Sequence, residues 1–408
     1  MTGPRRRKAG KHAPIGRRIA ELRTGRGMSQ QVFADRVGKS KSWVDKIERG
    51  VRVLDRLSVI NTVAAALGVT PAILLGGTNP PAPATDTRAD IEQIRAALAR
   101  HAAPASPEHP PLTQLDAQAG YAWAAYRNGN HPQVLRALPD LLDQTRYARH
   151  HAPPGSQPAA DLLVRVYRLT AQLMVKLGEP HLAWLAADRA MTAATGDPHR
   201  TGLAAISLAQ ALRALRRSRL AVTAAHTAVH QLDLTPARVF LPDEPALTGT
   251  LLLEAALAAA TSGDAPTADD LTDRATQLAY SSAAGQRNDH DGYAFGPTAV
   301  DLTRALTATR LGDHQRAVTI HRQATSDDGW HRLPAEHRAA HLIDISRAHL
   351  DLGDPHAAGR ALITADAIAP AELRTRPTAH AALAAVIRSG TAAADVTRLA
   401  ATIGLTRR

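Results

Sequence analysis

Between Leu112 and the C-terminus one turn signal keeps returning, and it constrains the fold more than any other feature of the chain. The clearest copies are Leu177-Gly-Glu-Pro-His-Leu-Ala183, Leu311-Gly-Asp-His-Gln-Arg-Ala317 and Leu352-Gly-Asp-Pro-His-Ala-Ala358. Looser copies start at Asn128, Leu215 and Thr261, so the intervals along the chain are 49, 38, 46, 50 and 41 residues. Each copy ends one helical pattern and is followed by another, amphipathic one. A two-helix unit of this kind leaves an apolar face uncovered, which only a neighbouring unit can bury. The expectation is therefore an all-α chain whose larger part, residues 112–408, is a stack of helical hairpins.

The unit resembles the tetratricopeptide (TPR) class, in which a small residue sits where the two helices cross; Ala183, Ala317 and Ala357 or Ala358 fill that place. The spacing exceeds the class's regular repeat of about 34 residues, and the class's large aromatic positions are mostly empty in a chain with 3% aromatic residues. The reading is TPR-like, with a generic α-solenoid as the alternative.

The second informative stretch is Ser29 to Gly50. Ser29 is placed to cap a helix with Val32, Phe33 and Val37 directed inward and Ala34 small enough for a second helix to approach. Gly38 breaks that helix, and Ser40 caps the next. There Val44 and Ile47 share the inner face, leaving Lys41, Ser42, Asp45, Lys46 and Arg49 on the outer one. Through Gln30, Ala34, Gly38, Ser40, Val44, Ile47, Glu48 and Gly50 the segment resembles the helix-turn-helix of the Cro/C1 (XRE) family. The resemblance implies that the second helix enters the major groove of double-stranded DNA. Gln30 then becomes a phosphate contact and buttress, while Lys41, Ser42, Asp45 and Lys46 become base-facing. Lys39, Ser40 and Trp43 lie near the backbone, with Arg49 on the same outer face. Ile15, Ile19 and Leu22 mark a helix before this pair. Leu57, Ile60, Val63, Ala64 and Leu67 mark one after it, and Thr70-Pro71 opens a short fifth helix ending at Leu75. Five helices over residues 15–75 agree with the Cro/C1 domain in size and order.

The charge agrees with that division. The formal balance of the whole chain is +12, yet residues 1–75 hold 16 Lys or Arg against 5 Asp or Glu, and the remaining residues hold 33 against 32. A basic surface alone is no more than a solvated face, but one that coincides with a helix-turn-helix is the footprint of a phosphate backbone. Ahead of it, residues 1–14 form a basic flexible arm carrying Arg5, Arg6, Arg7 and Lys8. Two readings stand for it: an arm that wraps the duplex, or a solubilising tail. Residues 76–111, rich in Pro, Gly, Thr and Ala, read as a linker with one helical segment around residues 91–100.

One polar and aromatic segment, residues 287–298, interrupts the alanine-rich pattern. Arg287, Asn288, Asp289 and His290 are candidates for a ligand or interface surface; the alternative is an inter-repeat loop capping the helix after Pro297. His226 and His230, like His337 and His341, stand four apart on one helix face, yet neither pair has the glutamate of HExxH. Gly38-Lys39-Ser40 copies the end of a phosphate-binding loop, but the glycine required earlier falls on Phe33. With no cysteine there is no disulfide, thiolate site or cysteine nucleophile. No acid/base or nucleophile pattern emerges, so neither an enzyme nor a cofactor or metal site is expected. No apolar run approaches the roughly 20 residues that cross a bilayer, so a cytoplasmic, nucleoid-associated protein is expected.

The head-plus-solenoid order resembles a large group of actinobacterial XRE regulators and, more distantly, the peptide-sensing regulators of Gram-positive bacteria. That resemblance implies a homodimer on a palindromic operator, with a peptide, small molecule or protein partner as effector on the solenoid. The alternative is a TPR-like interaction adaptor for which the helix-turn-helix is only a tether.

Overall fold

The computed structural model describes residues 15–24, 28–52, 57–67, 87–100, 110–153, 155–234, 244–281 and 295–405. The basic arm, the short fifth helix at residues 71–75 and the segment holding Arg287, Asn288, Asp289 and His290 lie outside them. The chain divides into two units, Met1–Asp86 and Thr87–Arg408, and among the described residues every regular element is helical.

The first unit contains α1 (Ile15–Thr24), α2 (Gln30–Val37), α3 (Lys41–Glu48) and α4 (Leu57–Leu67). Its core is the apolar stripe of each helix: Ile19 from α1, Phe33, Ala34 and Val37 from α2, Val44 and Ile47 from α3, and Val63, Ala64 and Leu67 from α4. Val32 departs from the expectation. It is 44% exposed, because the stripe set by Phe33, Ala34 and Val37 is narrow on so short a helix, and residue 32 lies about 100° round from residue 33. Gly38 and Gly50 have φ of +65° and +73°, so the chain leaves both helices of the pair through left-handed backbone that glycine adopts at little cost.

The second unit is a stack of hairpins preceded by α5 (Thr87–Ala99). The first six hairpins are α6 (Leu112–Arg127) with α7 (His131–His151), α8 (Gln157–Lys176) with α9 (Pro180–Ala194), α10 (Pro198–Ala214) with α11 (Ser218–Asp233), α12 (Glu244–Thr261) with α13 (Ala265–Ser281), α14 (Pro297–Leu311) with α15 (His314–Ser326), and α17 (Ala335–Asp351) with α18 (Pro355–Ile368). The short α16 (Asp328–Arg332) precedes α17. The short α19 (Pro370–Thr375) leads into the last pair, α20 (Pro377–Arg388) and α21 (Ala394–Thr402). Successive first helices pack on one another: α6 on α8, then α10, α12, α14, α17 and α20. α5 packs against α7 and places Ile91, Ile94 and Leu98 in the same core as the first two hairpins. The helical segment read as part of a linker thus belongs to the solenoid.

All six turn signals fall on the turns of the first six hairpins. Gly129, Gly178, Gly263, Gly312 and Gly353 adopt positive φ there; in the third hairpin the position is Arg216, at φ 61°. Five residues after each of these turn positions stands a buried apolar side chain: Val134, Ala183, Ala221, Ala268, Ala317 and Ala358. Methyl-sized contacts let the helix axes approach closely, so this solenoid needs few aromatic side chains. Several second helices are capped by the acid of the turn: Asp264, Asp313 and Asp354 accept the backbone N–H groups of Thr267, Arg316 and Ala357 at 3.2, 3.1 and 2.8 Å.

Candidate functional site

The helix-turn-helix is held by a bracket that joins three of its helices. Glu48, at the end of α3, accepts from Arg23 Nε at 2.6 Å and Nη2 at 3.0 Å, and from Gln30 Nε2 at 2.9 Å. Arg23 also donates from Nη1 to the carbonyl of Met28 at 2.6 Å. The hydrogen bond to Glu48 raises the Arg23 pKa, outweighing the opposing effect of burial. The end of α1, the entry to α2 and the end of α3 are thereby locked in one geometry. Gln30 is a buttress in this arrangement. Neither Arg23 nor Glu48 was singled out as a bracket by sequence reasoning, since 25 residues separate the partners.

The outer face of α3 follows from its inner one. Val44 and Ile47 are buried at 1% and 2% exposure, which fixes the rotation of the helix. Lys41, Ser42, Lys46 and Arg49 then face solvent, with Asp45 partly exposed beside them. Ser40 caps α3, its hydroxyl accepting from the Trp43 N–H at 3.2 Å. Trp43 is half-buried against the core, and Lys39 and Ser40 are exposed in the turn. Asp45 is paired with Arg49 one turn on along the same helix. Two cations, Lys41 and Lys46, thus remain on the face with no ion pair to a described residue. Gly16 faces the other side of α3. A Cβ there would collide with the backbone carbonyl of Ile47, so glycine at this position sets the approach of α1 to α3.

In the second unit the first helices of the hairpins face inward and the stack closes on itself, α6 meeting α17 and α7 meeting α19. The closure is ionic and buried. Glu372 of α19, with 0% side-chain exposure, accepts from His131 Nε2 at 2.8 Å, Lys176 Nζ at 2.7 Å and Arg376 Nη1 at 3.1 Å. Lys176 also pairs with Glu336, and Arg376 reaches Asp344 at 3.4 Å. Burial alone would raise the Glu372 carboxyl, but Lys176, the His131 hydrogen bond and Arg376 hold it well below the usual carboxylate range.

Inside this ring lies a lumen of about 250 Å³, lined by residues of the inner helices, among them Tyr126, Lys176, Arg213, Glu254, Glu336 and His337. Glu254 accepts from Arg213 Nη2 at 2.9 Å and Gln210 Nε2 at 2.7 Å. His341, on the lumen wall, shares a hydrogen bond with His321 at 3.0 Å between Nε2 and Nδ1. Burial, then His349 and Arg322, lower His321 to about 4. His341 is pushed well below its ordinary value by burial and then by His321 and His337. No helix of the described residues is long and apolar enough to cross a membrane.

Residues 14–74 match the family model of a helix-turn-helix domain. No curated protein matches the chain. Similar solved structures include PlcR of Bacillus thuringiensis in complex with the peptide PapR7 and DNA, at 15% identity and TM-score 0.33, covering 65% of this chain and 93% of that one. ComR from Streptococcus suis matches at 11% identity and TM-score 0.27, covering 87% and 94%. ComR from S. thermophilus, in complex with DNA and its signalling peptide ComS, matches at 13% identity and TM-score 0.27, covering 87% and 99%.

Proposed function

We propose that the chain is a sequence-specific DNA-binding transcriptional regulator whose solenoid takes up an effector and joins two copies on a palindromic site. The observation that carries the reading is the outer face of α3. It is a helix fixed in rotation by Val44 and Ile47, braced at its end by the Glu48 bracket, and showing Lys41, Ser42 and Lys46 to solvent in the domain that holds almost all the net charge. Lys41, Ser42, Asp45 and Lys46 are the proposed base-facing residues. Lys39, Ser40, Trp43 and Arg49 are placed along the phosphate backbone, and Gln30 supports α2 there. Arg5, Arg6, Arg7 and Lys8 add electrostatic affinity. Arg49 engages only one oxygen of Asp45, so the other can accept from an exocyclic amine while Arg49 stays beside it.

A mobility-shift assay on the DNA upstream of the chain's own gene, against a scrambled duplex, tests the reading. Lys41→Ala with Lys46→Ala is expected to abolish discrimination between the two. Removing residues 1–11 is expected to weaken binding to both and to flatten the salt dependence. If the double variant still discriminates, the reading face is not α3.

A further inference from the structure

A second cavity adjoins the lumen, sharing Leu306 and Asp344 with it. It measures about 600 Å³ and lies between α14, α17 and α20, within the roughly 300–1,000 Å³ usual for a small-molecule site. These are the first helices of their hairpins and run in the same direction, which brings their C-terminal ends to one side. Arg310 closes α14, Arg347 and Asp351 lie in the last turns of α17, and Arg388 ends α20.

The charges there are unequal: three arginines line the cavity against Asp344 and Asp351. Both acids are already engaged. Arg347 Nε donates to the two Asp351 oxygens at 2.9 and 2.8 Å, with His314 3.7 Å from the same carboxylate, and Asp344 is held by Arg376 at 3.4 Å. Arg310 donates only to the Leu306 carbonyl of its own helix, at 3.2 Å, and no described carboxylate forms an ion pair with it. Burial and then the Arg213 cation lower its guanidinium to about 10, against a smaller opposing pull from Asp344 and Glu254. At neutral pH it stays charged. Arg310 is partly buried and faces the cavity without a described carboxylate partner, an arrangement that an incoming anion completes. Leu306, Ile343, Leu350, Ala382 and Ala385 make the rest of the wall largely apolar.

Resting on the proposal that the solenoid takes up an effector, we infer that this cavity binds a carboxylate carried on a small apolar body, with Arg310 receiving the anion. Arg347 is taken by Asp351, and Asp344 by Arg376 from beyond the cavity, so Arg310 and Arg388 are the lining cations without a described carboxylate partner, Arg310 the partly buried one and Arg388 exposed.

Calorimetric titration of the full chain with hexanoate, hexanol and hexylamine tests the inference, since the three probes share a body and differ in charge. Hexanoate is expected to bind at least tenfold tighter than the other two. Arg310→Gln is expected to remove that advantage, while Arg310→Lys, which keeps the charge, retains part of it and guards against a misfolded Gln variant. N-acetyl-leucine beside hexanoate separates a peptide terminus from a small free acid, with the amide of N-acetyl-leucine as the uncharged control: binding by both acids marks a small acid, and binding by N-acetyl-leucine alone marks a peptide end. Equal binding of the alcohol or amine, a hexanoate preference that survives Arg310→Gln, or no binding of either acid overturns the inference. These titrations contain no DNA, so loss of DNA binding would refute the regulator reading without touching the site.

Discussion

Replacing Glu372 by Gln keeps the shape of the side chain and one carbonyl acceptor but removes the charge on which the ring closes. In the wild type this carboxylate has no solvent exposure and takes charged or polar donors from α7, α8 and the start of α20. Removing one partner of a buried ion pair costs about 3–5 kcal/mol. Lys176 keeps Glu336 and Arg376 keeps Asp344 in the variant, which places the expected loss at the lower end, about 3 kcal/mol by the same reckoning. Urea unfolding followed by circular dichroism measures it, and hydrogen exchange shows where it falls: amides of α6, α7 and α19 should lose protection before those of α10 and α11. Adding Lys176→Met should cost less than the sum of the two single changes, because the cation it removes has already lost one of its two anions. A Glu372→Gln variant within about 0.5 kcal/mol of wild type, the range of ordinary surface changes, would refute the closure as a source of stability.

Three further outcomes follow from single positions. Gly16→Ala drives a methyl into the Ile47 carbonyl and should cost the first unit about 3 kcal/mol, read as loss of its cooperative melting with the solenoid transition unchanged. Arg216→Gly should stabilise by about 1 kcal/mol, since a left-handed residue with a Cβ becomes one without; a loss of stability in thermal unfolding would count against it. His321, held at about 4, and His341 bind protons less readily when folded than unfolded, where the value is near 6.5. The His321 contribution is full above that value and is lost as pH falls from about 6.5 towards 4, and that of His341 is lost in the same direction; His321→Gln should flatten that slope in melting curves.

The sequence is easiest to read where one residue type carries a mechanical role. The hairpin turns were visible because glycine marks left-handed backbone, and the third was faint because Arg216 occupies that position instead. The buried faces of α3 and α4 followed from their spacing. Val32 was misplaced because an eight-residue helix offers only two turns from which to judge the stripe. Glu372 was invisible: its partners His131 and Lys176 lie 241 and 196 residues away, and no local pattern encodes a contact between the ends of a superhelical turn. Gly16 left a weaker trace, a small residue beside Ile15 and Ile19 on the inward side of α1. Arg310 looked like any arginine near a helix end, because its lack of a counter-ion depends on how Asp344 and Asp351 are already engaged.

The most direct test of the α3 reading face is selection from a pool of random duplexes by the full-length chain. The expected result is enrichment of an inverted repeat whose half-site centres lie about one helical turn, or a multiple of it, apart, and no such enrichment with the Lys41→Ala, Lys46→Ala chain. A folded wild-type chain that leaves the pool unenriched, or a double variant that selects the same repeat, would contradict it.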